Sequence, residues 1–309
     1  MPDIVITEFM DEGPVEELKA KYDVHWDKTL CDKPDEIKAL LGDAVALIVR
    51  NRTKVTDDIL SAGPKLKVLG RLGVGLDNVD VPACARHGVK VCPATGSNNT
   101  SVAEYAICVM MMLLRGSFYS REDILAGKWP RNSNVGLEAR GRTLGLLGFG
   151  MIGCSAARMA CGLGMKVIAH DPHVPGDASG WQYAQNVSFE DLIARSDILS
   201  VHVPLLPETR GIIDAAAMAG MKKGSFLINT ARGGIIDEDD LIAALKSGQI
   251  GGAALDVFAD EPLSVETAAK FSDAPNLILT PHISGVTVES SAAISTITVD
   301  NVLKELVAS

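Results

Sequence analysis

Three glycines in the run Gly148-Phe149-Gly150-Met151-Ile152-Gly153 are spaced to hold a pyrophosphate. In such a run the first glycine makes a tight turn and the second lets backbone approach the phosphates. The third lets the following helix pack closely on its strand. Met151 and Ile152 open that helix, whose N-terminal N–H groups and positive dipole end face phosphate oxygens. Asp171 closes the next apolar segment. A carboxylate there accepts hydrogen bonds from the adenosine ribose hydroxyls and repels a 2′-phosphate, so the cofactor read from these residues is NAD rather than NADP.

Other reactive side-chain types gather in three later runs. They are Asn229-Thr230-Ala231-Arg232-Gly233-Gly234, Leu255-Asp256-Val257-Phe258-Ala259-Asp260-Glu261-Pro262 and Thr280-Pro281-His282-Ile283-Ser284-Gly285. Together they offer a guanidinium, carboxylates and an imidazole. Those types can clamp a carboxylate and move a proton near neutral pH.

The elements that must position them follow from patterning. A strand over 143–147, a helix over 151–163 and a strand over 166–170 frame the glycine run. Further strands are expected near 198–203, 225–229, 253–257 and 277–279, with helices between them; the three reactive runs then stand at strand carboxyl ends, where open α/β sheets bind ligands. A helix over 237–246, acidic at its start, ends at Gly248. The first hundred residues alternate in the same way: strands at 4–7, 22–26, 45–49, 67–69 and 89–92, helices at 14–21, 34–41, 56–61 and 81–87.

Ser101-Val102-Ala103-Glu104 reads as a capping box opening a helix to about Arg115, a candidate crossing between domains. A final helix over 288–306 has no strand after it, so its apolar face is expected to return to the first domain. The fold class is therefore α/β with two domains: a flavodoxin-like parallel substrate domain, residues 1–98 and 287–309, into which a Rossmann dinucleotide domain, 99–286, is inserted. A cleft is expected at the two crossings.

The 309 residues suit two domains, and 47 % hydrophobic with 22 % charged residues is the balance of a globular protein. A formal net charge of −10 argues against nucleic acid and anionic membranes as partners. The longest apolar stretch, Val102 to Leu114, is too short to span a bilayer and contains Glu104. Met1 runs straight into a strand without a cationic, apolar leader, and six cysteines show no metal spacing. A cytoplasmic location and no metal are the expectations.

The three reactive runs, with Val201-His202-Val203-Pro204-Leu205 and Gly73-Val74-Gly75-Leu76-Asp77-Asn78-Val79-Asp80, resemble the D-2-hydroxyacid dehydrogenase family over nearly the whole chain. Leu47-Ile48-Val49-Arg50 followed by Thr53-Lys54-Val55-Thr56 looks closest to the phosphoglycerate-dehydrogenase branch. The resemblance implies an NAD-dependent enzyme, a homodimer, and interconversion of a small (R)/D-type 2-hydroxy acid with its 2-oxo acid. It places the catalytic arginine, glutamate and histidine on Arg232, Glu261 and His282. Glu261, rather than Asp260, holds the position before proline that the family uses. With the glycine run and Asp171, it implies cofactor contacts at Val203, Pro204, Thr230, Ala231, Arg232, Asp256, His282 and Gly285. For Asp256 a buried capping role stands beside that reading. Substrate contacts are implied at Arg232, Val74 and Gly75, and the cationic residues Arg50, Arg52 and Arg71 are candidates if they face the substrate.

Two features depart from the branch. Arg52 stands where a small residue is usual, so the substrate is expected to carry a second anion: a phosphate, a sulfonate or a second carboxylate. No segment after Ser309 could form the regulatory domain that some members append, so feedback through one is not expected. A glyoxylate or hydroxypyruvate reductase, and an NADH-sensing corepressor-like binding protein, remain the alternatives. A formate-dehydrogenase relative is disfavoured because that branch has glutamine where Glu261 stands. His202 reads as a structural histidine, and His170 and His173 as solvent-facing rim residues.

Overall fold

The computed structural model describes residues 1–116 and 120–308. The chain divides into two compact units, Met1–Asn98 with the chain from Val286 onward, and Asn99–Gly285.

The first unit is a five-stranded parallel sheet: β1 (Ile4–Ile6), β2 (Val24–Trp26), β3 (Ala46–Val49), β4 (Val68–Arg71) and β5 (Lys90–Pro93), in the order β2-β1-β3-β4-β5. Its central strands are apolar throughout because both faces are covered. Alternation sends Leu47 and Val49 into one core and Ala46 and Ile48 into the other. The last helix, Val288–Ala308, closes the second face with Val299 and Val302 against Ile48 and Val68. It therefore returns to the first sheet, as its lack of a following strand required. The strand order reverses between β1 and β3, so their carboxyl ends flank the switch point where open sheets bind ligands.

The second unit holds β6 (Thr143–Leu147), β7 (Lys166–His170), β8 (Gln185–Asn186), β9 (Ile198–Val201), β10 (Ser225–Asn229), β11 (Ile250–Leu255) and β12 (Leu277–Leu279). All pairings are parallel, in the order β12-β11-β10-β9-β6-β7-β8, the doubly wound Rossmann arrangement with its switch point between β6 and β9. Helices Asn99–Arg115 and Met151–Gly162 pack one face through Ala103, Ala106 and Met110 against Ala156, Ala157 and Ala160. The helix Glu238–Ser247 has Asp237 as its cap, accepting from the N–H groups of Asp239 and Asp240, and Gly248 as its left-handed stop at φ 71°.

Two expectations need correction. The long helix begins at Asn99, so Ser101 lies inside its first turn rather than capping it. A preceding turn, in which both the N–H and the hydroxyl of Ser97 donate to the Ala94 carbonyl, already delivers the chain in helical direction. The edge strand β8 was not anticipated, because two exposed polar residues carry no alternation to read.

Candidate active site

The glycine run joins β6 to its helix, and the three glycines are there for different reasons. Gly148 has φ 96°, and a Cβ on it would sit 2.6 Å from the His202 carbonyl oxygen and 2.8 Å from the Val203 side chain. This is where the turns leaving β6 and β9 cross. A Cβ on Gly153 would lie 2.5 Å from the Gly148 carbonyl oxygen, so only glycine lets the helix sit this close to its strand. Gly150 has an ordinary φ of −71°, and a Cβ there would meet nothing within 4 Å. Nothing in the protein demands glycine at 150. The space it leaves open is a cradle for a bound group, at the N-cap of a twelve-residue helix.

Asp171, after β7, reaches across to the same turn. Its carboxylate accepts from the N–H of Phe149 at 2.8 Å and of His173 at 2.9 Å, which fixes it at the carboxyl edge of the sheet. Beside it opens a groove of about 420 Å³, with Asn99, Gly150, Met151, Ser155, Val174 and Ala178 among its lining residues. Phe149 and Trp181 stack with ring centroids 4.4 Å apart next to it. Helix N-terminus, glycine turn, fixed carboxylate and adjoining groove thus stand together at the carboxyl edge of the sheet, where open α/β sheets bind ligands.

The candidate acid–base group lies in the same unit. His282 Nδ1 and Glu261 Oε2 are 2.6 Å apart, with the imidazole half exposed and the glutamate one-third exposed. The hydrogen bond that His282 donates to Glu261 raises the pKa of His282 against the effect of partial burial. Burial opposes ionisation of Glu261, yet its hydrogen bonds from His282 and from the Phe258 N–H hold its pKa low. With Nδ1 engaged, Nε2 is the nitrogen left to exchange a proton.

His282 itself has φ 54°, a left-handed conformation uncommon outside glycine. Asp256 explains how that backbone is held. It is fully buried, and its Oδ1 accepts from Ile283 N–H at 2.9 Å and the Thr280 hydroxyl at 2.6 Å, while Oδ2 accepts from Ser284 N–H at 2.8 Å. Tyr105 extends the chain to Thr280 at 2.5 Å. Both oxygens of Asp256 thus serve the 280–284 loop in a capping role.

Arg232 follows β10 in a turn locked by Asn229, whose Oδ1 accepts from Ala231 N–H and whose Nδ2 donates to the Arg232 carbonyl. Its positive charge acts on both Glu261 and His282. Thr230 and Ala231 belong to this turn, Val203 and Pro204 to the one after β9, and Gly285 ends the unit. A Cβ on Gly233 would fall within 2 Å of the Phe258 carbonyl, so the arginine turn and the glutamate loop are in backbone contact.

One side chain that sequence reasoning missed completes this arrangement. Glu238 is 8 % exposed; its Oε1 accepts from Ala259 N–H at 2.7 Å and its Oε2 pairs with Lys270 at 2.6 Å. Neighbouring N–H groups of one loop therefore bind Glu261 and Glu238. Only its place in the acidic first turn of a helix was visible beforehand, and that pattern had an ordinary dipole explanation.

The histidines divide sharply. His202 is partly buried beside Ser200, 2.9 Å away, and desolvation pushes its pKa down to about 4, so it is a neutral structural residue. His170, expected on the solvent rim, instead has Nδ1 2.9 Å from the Val187 carbonyl and lies edge-on to Phe189, because β8 and its following turn cover it. His173 is exposed.

In the first unit the candidates share the carboxyl edge of one sheet, with Val49 and Arg71 paired across β3 and β4. The Arg50 guanidinium stands 6.0 Å from the Phe9 ring centroid, without a carboxylate partner among the described residues. Arg52 is bound to both oxygens of Asp32, each side chain about 60 % exposed. Arg71 donates to the Leu72 carbonyl, and Val74 is exposed at the tip of the Gly73–Leu76 loop. Among the described residues the N–H groups of Val74 and Gly75 donate no hydrogen bond. No group of three or more histidines, cysteines or carboxylates could hold a metal, and no helix is long and apolar enough to cross a membrane, among the described residues.

Comparison with known proteins gives a coherent result. The family model for the NAD binding domain of D-isomer specific 2-hydroxyacid dehydrogenases matches residues 107–284. Over 307 residues the chain is 49 % identical to (S)-sulfolactate dehydrogenase of Chromohalobacter salexigens, covering 99 % of each. It is 40 % identical over 295 residues to D-3-phosphoglycerate dehydrogenase 2, chloroplastic, of Arabidopsis thaliana, covering 95 % of this chain but 47 % of that one. The crystal structure of D-lactate dehydrogenase from Aquifex aeolicus, complexed with NAD and lactic acid, matches with a TM-score of 0.85 at 27 % identity, over 99 % of this chain and 95 % of that one.

Proposed function

This chain belongs to the D-isomer specific 2-hydroxyacid dehydrogenase family and is an NAD-dependent oxidoreductase interconverting 2-hydroxy and 2-oxo acids; we propose that its own substrate carries a second anionic group, as sulfolactate does. In this reading Arg232 clamps the substrate carboxylate with its planar fork. Held by the Gly148–Gly153 turn and Asp171, the nicotinamide cofactor would supply a hydride to C2 as NADH and accept one from C2 as NAD⁺. His282 Nε2 gives a proton to the carbonyl oxygen during reduction and takes it back during oxidation. Glu261 keeps the imidazole charged for the first of these tasks and orients it for both. The 2.6 Å His282–Glu261 pair is the observation that carries the chemistry.

The second anion falls to Arg50 and Arg52. Arg50 follows β3 at the switch point of the first sheet, its guanidinium without a carboxylate partner among the described residues. Arg52 is held by an exposed ion pair, a kind of contact worth about 0–1 kcal/mol and easily exchanged for a substrate anion. The (S) label of the sulfolactate relative is compatible with a D-type enzyme. A CH2–sulfonate group outranks a carboxylate in the naming rules, whereas methyl or CH2–phosphate groups do not. The spatial arrangement called (R) in lactate is therefore called (S) in sulfolactate, so the relative's label and the (R)-type expectation describe the same geometry.

A spectrophotometric panel following NADH loss tests this reading: sulfopyruvate, 3-phosphohydroxypyruvate and oxaloacetate against pyruvate, glyoxylate and hydroxypyruvate. Preference for the first group is expected. Preference for the monoanions would make this a glyoxylate or hydroxypyruvate reductase. Asp171 further implies strong discrimination against NADPH, and equal kcat/KM with the two cofactors would remove its role.

The exposed apolar side chains of residues 124–137 support a homodimer. Leu125, Trp129 and Val135 are 66 %, 79 % and 81 % exposed there, an apolar concentration that a second copy would cover.

A further inference from the structure

The loop carrying Arg50 and Arg52 is folded around an anion that the protein supplies itself. Glu8 leaves the carboxyl end of β1 and is 4 % exposed. Its Oε1 accepts from the N–H groups of Arg50 at 2.8 Å and Thr53 at 2.9 Å, and its Oε2 from Asn51 at 3.3 Å and Arg52 at 3.1 Å. Four consecutive backbone N–H groups converging on one point form a nest, the concavity that elsewhere binds a free phosphate or sulfate. Here it lies at the switch point of the sheet and is already filled.

The surroundings show that the filling is built in. Burial raises the cost of the charge, yet the backbone donors hold the Glu8 pKa below its usual value. Trp26 Nε1 donates to the Glu8 carbonyl at 3.1 Å. Thr7 and Thr53 share a hydrogen bond of 2.7 Å, and Asn78 Nδ2 donates to the carbonyls of Arg50 and Thr53 at 3.2 and 2.6 Å. Phe9, the next residue, supplies the ring beside Arg50. Backbone and guanidinium are thus both set from the Glu8-Phe9 dipeptide.

We propose that Glu8 is a positioning residue for substrate specificity: by occupying the nest it fixes residues 50–53 and leaves recognition of the second anion to the guanidinium groups of Arg50 and Arg52. The proposal rests on the second-anion reading above. Its chemical consequence is that a tetrahedral oxoanion is read by side chains, whose reach and charge differ, rather than by a backbone cradle that any small anion would fit.

The test compares wild type with Glu8→Gln, using NADH with sulfopyruvate and with pyruvate. A glutamine offers one oxygen to four donors and turns an amide N–H toward them, so the loop loses its template. The KM for sulfopyruvate should rise about tenfold or more, with kcat and NADH affinity within about twofold and the KM for pyruvate little changed. An unchanged sulfopyruvate KM, or an equal rise for both substrates, overturns the proposal. If Glu8→Gln does not fold, the Arg50→Met, Arg52→Met double variant decides: it must abolish the preference for sulfopyruvate, and a retained preference overturns the proposal. A wild type with no such preference fails the second-anion reading itself, which is distinct from a preference that survives in Glu8→Gln.

Discussion

Both parallel sheets end in a buried or half-buried glutamate, and the two are put to opposite uses. At the edge of the second sheet Glu261 faces an imidazole and raises its pKa. At the edge of the first, Glu8 faces four backbone N–H groups and keeps a loop still. The carboxylate is the same; the partner decides whether it tunes a reactive group or replaces a ligand. In the proposed mechanism, chemistry falls where the partner can titrate near neutral pH and recognition where it cannot.

The comparison breaks first, and most severely, at His282. Glutamine there keeps a hydrogen-bonding amide but has no proton to transfer, so turnover should fall about 10²–10⁴-fold while NADH still binds. Single-turnover kinetics with an NADH titration would check this. Near-normal turnover would mean that the Glu261 edge is structural too, and the contrast with Glu8 would vanish.

His202 sharpens the same contrast by lacking a carboxylate. Its folded pKa is about 4 against 6.5 for an unperturbed histidine. Between those values the unfolded chain holds a proton that the native protein excludes, so stability is full above about pH 6.5 and lost as the pH falls toward 4. The integrated loss is roughly 3 kcal/mol. His202→Asn should flatten this acid limb in urea titrations from pH 7 to 4. An unchanged slope would show that other groups set it.

Glu261→Gln tests the coupling itself. Reduction of the oxo acid needs protonated His282 and so declines as the pH rises through its raised pKa; oxidation rises over the same range. Without the carboxylate both limbs should move to lower pH, and at neutral pH reduction should fall about tenfold, in line with loss of a charge-assisted hydrogen bond. A pH profile that lowers its plateau without moving its limbs would assign Glu261 to orientation alone.

How much of this was legible follows from sequence separation. The glycine run, its helix and Asp171 span some two dozen residues, and Arg232, Glu261 and His282 each lie inside a local run with a recognisable form. Their spacing carried most of the second site into view. Glu8 meets its partners 42–45 residues away, and nothing in Thr7-Glu8-Phe9 announces that a nest will close on it. Asp32 and Arg52, twenty residues apart, were likewise invisible as a pair. The parallel sheets were legible because doubly covered strands must be apolar, while β8 was lost for want of an apolar face.

The mildest test lies at Lys270, and it asks whether the second edge also uses a fixed carboxylate. Glu238 binds Ala259 N–H one residue from the N–H that binds Glu261, so it does for the 258–261 loop what Glu8 does for 50–53. Lys270, partly exposed, holds the second oxygen of Glu238, and its pairing there raises its own pKa against burial. Lys270→Met would leave Glu238 buried with one donor, so the loop should loosen without losing its charge. Reduction should weaken about two- to fivefold, with the alkaline limb displaced slightly toward lower pH as Glu261 sits less firmly on His282, and Lys270→Arg should restore both. A rate loss with an unmoved limb would confine Glu238 to stability. The first sheet would then be the one edge of this enzyme where a carboxylate acts by filling a backbone nest.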